Sequence, residues 1–88
     1  MFLYGDVEFR GCNERKSKEG KIYYLLVCED LENSDQIRLY SPSSAVYTIP
    51  RENLKRGCVY HCKFDYHYNS FNKDWQFDLI DIVEQLKG

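Results

Sequence analysis

KIYYLLVCE, residues 21–29, sets the reading of the whole chain. Taken with a period of two, Ile22, Tyr24, Leu26 and Cys28 share one face of a strand, and Tyr23, Leu25 and Val27 share the other. Both faces are apolar or aromatic. A solvated face would not normally read Tyr-Leu-Val, so this strand is either central in a sheet or exposed for contact.

Outward from it, the same alternation recurs. Phe2–Cys12 forms a first strand, with Leu3, Val7 and Phe9 on one face and Tyr4, Asp6, Glu8 and Arg10 on the other. Gly5 and Gly11 fall on its apolar face, where a missing side chain permits a bend or bulge. Asn13–Gly20 is a polar tip between these two strands, and the acidic Asp30–Asp35 is a turn. A short strand follows over Gln36–Tyr40, with Ile37 and Leu39 inward and Arg38 and Tyr40 outward. Ser41–Ser44 (SPSS) breaks the pattern, and Ser43 or Ser44 is placed to cap a short helical turn through Tyr47 that Pro50 would end. Cys58–Tyr68 is a long strand with Cys58, Tyr60, Cys62 and Phe64 inward and His61, Lys63, Asp65 and His67 outward. NSFNKD (Asn69–Asp74) closes a hairpin onto a last strand, Trp75–Val83, and Glu84–Gly88 reads as a frayed end.

The expected fold class is therefore all-β. Five strands, two long hairpins and a short helical turn between strands three and four suit an OB-like Greek-key barrel spanning 1–88 as one domain. In that architecture the ligand-facing surface lies on strands two and three, between the loops joining strands one and two and strands four and five.

Composition narrows the function. Eight Tyr, five Phe and one Trp make 16% of the 88 residues, more phenolic and indole groups than so small a core hides. The net charge is −2, unlike the basic balance usual for nucleic-acid binders, but the distribution is uneven. Arg10, Arg15, Lys16, Lys18 and Lys21 against Glu14 and Glu19 give a local +3, as do Arg51, Lys55, Arg56 and Lys63 against Glu52. The N-terminal MFLYGDVEF has no long apolar core, so no signal peptide is expected, and no segment approaches a membrane span. Cys12, Cys28, Cys58 and Cys62 are accordingly expected as free thiols in a reducing cytoplasm. Cys58 and Cys62 would stand about 13 Å apart along a strand, too far to chelate one ion. They read as small buried hydrophobes, and no cofactor is expected. Neither a nucleophile with an evident base nor a phosphate-cradling glycine loop is present, so the chain is not expected to be an enzyme.

Cations that track phosphates, beside flat rings on which bases stack, are what a binder of single-stranded nucleic acid requires. Arg15, Lys16, Lys18, Lys21, Arg38 and Lys73 are the phosphate candidates; Tyr23, Tyr40, Phe71 and Trp75 are the stacking candidates. Phe71, between Ser70 and Asn72 at a hairpin tip, has little core to reach. The requirement is that both basic stretches and these rings converge on one face, with the acids behind it.

The run KSKEGKIYYLLVCEDL (Lys16–Leu31) resembles the second-strand hairpin of the gene V proteins of filamentous phages: a basic tip, then Gly-Lys-x-Tyr-x-Leu, then a short Asp-Leu ending. Related helix-destabilising proteins of conjugative elements resemble it nearly as well. The resemblance implies a small OB-fold homodimer that coats single-stranded DNA cooperatively. It implies that Tyr23 and Leu25 lie in the DNA groove, that Lys21, Arg15 and Lys16 lie on phosphates, and that Phe71 reaches DNA held by a neighbouring protomer. The expected partner is single-stranded DNA, with RNA left open. The rival expectation is a β-barrel adaptor whose exposed aromatics dock another protein.

Overall fold

The computed structural model describes residues 1–87. Five strands follow in chain order: β1 (Phe2–Lys16), β2 (Ile22–Asp30), β3 (Gln36–Pro42), β4 (Val59–Asn69) and β5 (Asp74–Lys87). They form one sheet in the order β1-β2-β3-β5-β4, and β1 pairs with β4 as well as with β2, so the sheet closes. The all-β, five-strand expectation holds.

β1 closes the sheet by changing partners along its length. Phe2–Glu8 pairs with β4 and Val7–Lys16 pairs with β2, with a bulge between Phe9 and Gly11 that bends the strand from one neighbour to the other. Gly5 serves the inner side, where a Cβ would lie 3.0 Å from Phe64 Cε2, so its absence lets that ring close against the backbone. Gly11 departs from the expected apolar face. The extra residue at the bulge reverses the alternation, and Gly11 pairs with outward Val27.

Strand ends differ from the periodic reading where polar residues continue a ladder. The first turn is only Ser17–Lys21, because Glu14, Arg15 and Lys16 pair with Tyr24, Tyr23 and Ile22. It is closed by the Ser17 N–H donating to the Lys21 carbonyl at 2.8 Å, with Gly20 at φ 84°. β3 extends through Ser41 and Pro42, which sit opposite Tyr24 and Tyr23. β5 continues to Lys87 rather than fraying after Val83, because Tyr60 and His61 still offer it partners; Gly88 lies outside the described residues. Polarity ends alternation, but hydrogen-bond partners end strands.

The helical turn also moves. It is a 3₁₀ turn over Arg51–Asn53, and Pro50 precedes it as its cap instead of ending a helix. A proline with φ −58° is already shaped for a helix start and has no N–H to leave unsatisfied there.

Val7, Phe9, Leu26, Cys28, Leu39, Tyr60, Cys62, Phe64, Leu79 and Ile82 fill the interior. Each fully buried aliphatic or aromatic among them contributes roughly 1.5–3 kcal/mol. The weakest seam is β3–β5, which is parallel and has only two registered pairs, Leu39↔Phe77 and Tyr40↔Asp78. The β3–β4 connection packs over that seam. Tyr47 is buried, the Ile49 N–H donates to the Ile82 carbonyl at 3.0 Å, and Thr48 donates from both N–H and Oγ1 to the Asp81 carboxylate at 2.7 and 2.8 Å.

Candidate nucleic-acid interface

Residues paired across a sheet project to the same side, so the registers place the candidate side chains without ambiguity. Leu26, Cys28 and Leu39 mark the inner side. On the outer side of β1, β2 and β3, Arg15, Tyr23 and Pro42 form one row; Asn13, Leu25 and Tyr40 form the next; Gly11, Val27 and Arg38 form a third. Tyr23 and Tyr40 lie diagonally across the strands with ring centroids 5.0 Å apart. Arg15 and Arg38 are exposed and form no ion pair among the described residues. Five of the candidates, Arg15, Tyr23, Leu25, Arg38 and Tyr40, therefore share one surface.

The two hairpin tips lie at opposite ends of this surface. The β1–β2 tip, with exposed Lys18 and Lys21, lies beyond the Arg15–Tyr23 row. Lys21 Nζ is 3.9 Å from Glu19 Oε2, a solvent-exposed pair worth little. The β4–β5 tip lies past the Arg38 end, because β3 and β5 run parallel. It carries Phe71, 96% exposed, and Lys73 at φ 53°. The Asn69 side-chain oxygen accepts from the Phe71 N–H at 2.9 Å, which fixes the tip backbone.

Two candidates project elsewhere. Lys16 pairs with Ile22 and falls on the inner side of the hairpin extension, away from Tyr23. Trp75 pairs with Tyr68 on the side of the β4–β5 hairpin that continues the core. Phe64, Phe77, Tyr66, Trp75 and Tyr68 form a ladder there, with successive centroid separations of 6.2, 4.5, 5.0 and 5.8 Å. Trp75 is therefore a packing residue of the hairpin, still 57% exposed at its outer edge.

The basic stretches do not converge. Arg51 turns inward, its guanidinium 4.2 Å from the Tyr24 ring centroid and donating to Ser41 Oγ at 2.6 Å and to the Pro42 carbonyl at 3.3 Å. Lys63 lies on β4, over the rings of Phe2 and Tyr4 at 4.9 and 5.7 Å. Carboxylates also reach the border of the surface, since the Leu25–Tyr40 row continues into Asp78 on β5 and Asp65 on β4. They are not bare. Asp78 Oδ2 is 2.7 Å from His67 Nε2, Asp78 Oδ1 accepts from Gln76 Nε2 at 2.5 Å, and Asp65 Oδ1 accepts from the Met1 amine at 3.0 Å. The polar atoms of Asp65, His67 and Asp78 lie within 4.8 Å of one another and are engaged in these hydrogen bonds. At the far end Arg10 Nη2 joins Glu8 and Glu29 at 2.6 and 2.7 Å, so that cation is occupied.

Cys58 and Cys62 are core thiols, as the periodicity indicated; Cys28 is buried with them, and of the four cysteines Cys12 alone is exposed. Burial pushes the Cys28 and Cys62 thiols up to about 12. The arrangement around Arg51 was invisible in the sequence. Ser41 is fully buried and shares a 2.6 Å hydrogen bond with Tyr47 Oη, closing one end of the interior with Arg51. The only local signal was a serine in phase with Ile37 and Leu39. No helix among the described residues is long and apolar enough to cross a membrane.

Comparison with protein-family models, with characterised proteins and with solved structures returns no match to this chain.

Proposed function

We propose that this chain is an OB-like Greek-key barrel that binds single-stranded DNA without strong sequence preference, coating the strand rather than altering it. One observation carries the reading. Tyr23, Leu25 and Tyr40 lie on one outer surface with Arg15 and Arg38, and each end of that surface has a hairpin tip bearing exposed cations or Phe71. Rings free on one face accept bases of any identity, and unpaired guanidinium groups beside them accept phosphates. The gene V-type pattern over Lys16–Leu31 extends the proposal to a cytoplasmic homodimer acting in replication of phage or mobile-element DNA.

The test is a fluorescence titration with oligo(dT). Tyr23→Ala, Tyr40→Ala and Phe71→Ala should each weaken binding several-fold, on the order of the 1–3 kcal/mol of one base stack for the two tyrosines. Circular dichroism should show all three still folded. Failure of the unmodified protein to bind at low salt removes the proposal.

A protein adaptor is the second reading, supported by Phe2 and Tyr4, which are about as exposed as any strand aromatic here (63% and 62%) and lie on the β1–β4 wall, away from the β2–β3 surface. In a gel shift with a poly-pyrimidine oligomer the adaptor leaves mobility unchanged.

A further inference from the structure

The Leu25–Tyr40 row runs into a titratable group that the proposed binding does not use. Asp78 pairs in register with Tyr40, and Asp65 pairs with Asp78, so two carboxylates stand on the same outer side as the stacking surface. Such charges repel a phosphate backbone. His67 is the side chain beside them able to change their sum near neutral pH.

Its surroundings are fully defined. From β5, Asp78 Oδ2 lies 2.7 Å from His67 Nε2, and Gln76 pairs with His67 while holding the other Asp78 oxygen. From its own strand β4, Asp65 lies two residues away on the same side, bound to the Met1 amine, and Asn69 follows, donating to Gln76 Oε1 at 2.9 Å. β3 contributes Tyr40, opposite Asp78, and Arg38, one position beyond the Leu39↔Phe77 pair. From β1 the nearest registered side chain is Phe2, opposite Asp65. Positive charge near the cluster comes from the Met1 amine, from Lys63, which lies over the Phe2 ring at 4.9 Å, and from Arg38 on the neighbouring strand.

We propose that protonation of His67 opens the acidic border of the Tyr40 surface, so that single-stranded DNA binds more tightly as pH falls. The inference rests on the proposed single-strand binding and names how that surface is regulated. With His67 neutral, two carboxylates border the path of the strand, Asp65 paired with the Met1 amine and Asp78 held by neutral donors. With His67 protonated, the imidazolium cancels one of them. The hydrogen bond to Asp78 already favours the charged imidazole and raises its pKa. By reciprocity, a bound strand must make His67 harder to deprotonate.

His61 is a built-in control. Its Nδ1 is 2.6 Å from Asp6 Oδ1, a similar imidazole–carboxylate pair, but it lies on the β1–β4 wall stacked on Tyr4 at 5.6 Å.

Oligo(dT) is the probe, because thymine does not titrate over the range, with anisotropy measured from about pH 5.5 to about pH 8.5 at fixed ionic strength. The unmodified protein should bind roughly threefold more tightly at the acid end, the effect of one charge near a phosphate in a high dielectric. His67→Gln should abolish that dependence and His61→Gln should keep it. Asp78→Asn should give tight binding already at the alkaline end. The His67 ring-proton titration followed by NMR should move to higher pH when oligo(dT) is added, while that of His61 stays put. Binding that is present but flat with pH, a His67→Gln protein that keeps the full dependence, or a His67 titration unmoved by bound DNA overturns the inference and leaves the binding function intact. Absence of binding at every pH overturns both.

Discussion

Cys12 and Cys28 show how residue-scale environment divides chemically identical side chains. Burial raises both thiols, but Cys28 lies 2% exposed in the interior, whereas Cys12 opens to solvent and has the Arg51 charge pulling the other way. The thiolate is the nucleophile, so a thiol held up near 12 and out of reach is inert. Treatment of the native protein with iodoacetamide at mildly alkaline pH should therefore modify Cys12 alone. Cys28, Cys58 and Cys62 should follow only after denaturant is added. Mass spectrometry of the digested protein reads the outcome directly, and labelling of Cys62 in the folded state would contradict the core described above. Gly57, at φ 87° just before β4, is a second residue fixed by geometry: any side chain there occupies a backbone region that disfavours it by about 1–2 kcal/mol.

At the element scale, the β4–β5 hairpin is two-faced. One side carries the Asp65, His67, Gln76 and Asp78 hydrogen bonds; the other carries the aromatic ladder from Phe64 out to Tyr68. The ladder is how a hairpin that leaves the closed sheet stays ordered, since each ring replaces water with another ring. Tyr66 lies in the middle, 4.5 Å from Phe77 and 5.0 Å from Trp75. Tyr66→Ala should lower the unfolding free energy by about 2–4 kcal/mol in a urea titration. Phe71→Ala, at the solvated tip, should change it by less than about 0.5 kcal/mol. The β3–β4 connection is held differently, by polar groups. Burial pushes the Asp81 carboxyl up, but donors from Thr48 and the Ile82 N–H outweigh it and hold the group below its ordinary value. That anchor is therefore in place above the unfolded carboxyl's pKa and is lost as pH falls through the folded one. His67 runs the other way: its raised pKa adds stability at acid pH that disappears as the imidazole deprotonates.

For the whole molecule, charge placement matters more than the net −2. Of the twelve Lys and Arg residues, Arg10 and Arg51 are bound internally and Lys63 faces another wall, while Arg15, Lys18, Lys21 and Arg38 lie along the proposed surface. A strand neutralised by roughly three or four cations releases that many counterions, so log Kd against log salt concentration should have a slope of about 2–3. A slope near zero would mean that these cations do not meet phosphates. A much steeper one would mean that the strand also reaches cations beyond this surface.

Alternation alone determined that the chain is all-β with five strands, which residues of β3 and β4 turn inward, and that Cys58 and Cys62 are core, because burial on one side of a pleated strand imposes a period of two on the residues themselves. β2, apolar on both faces, left its inner side open. Alternation determined too that Arg38 and Tyr40 point outward together. Strand ends, the bulge that reverses Gly11, the inward turn of Arg51 and the side on which Trp75 projects were decided only by the tertiary structure. Each depends on which strand lies alongside, and neighbours such as Ser41 and Arg51, or Tyr40 and Asp78, are brought together across 10 and 38 positions by closure of the sheet rather than by anything local to either residue.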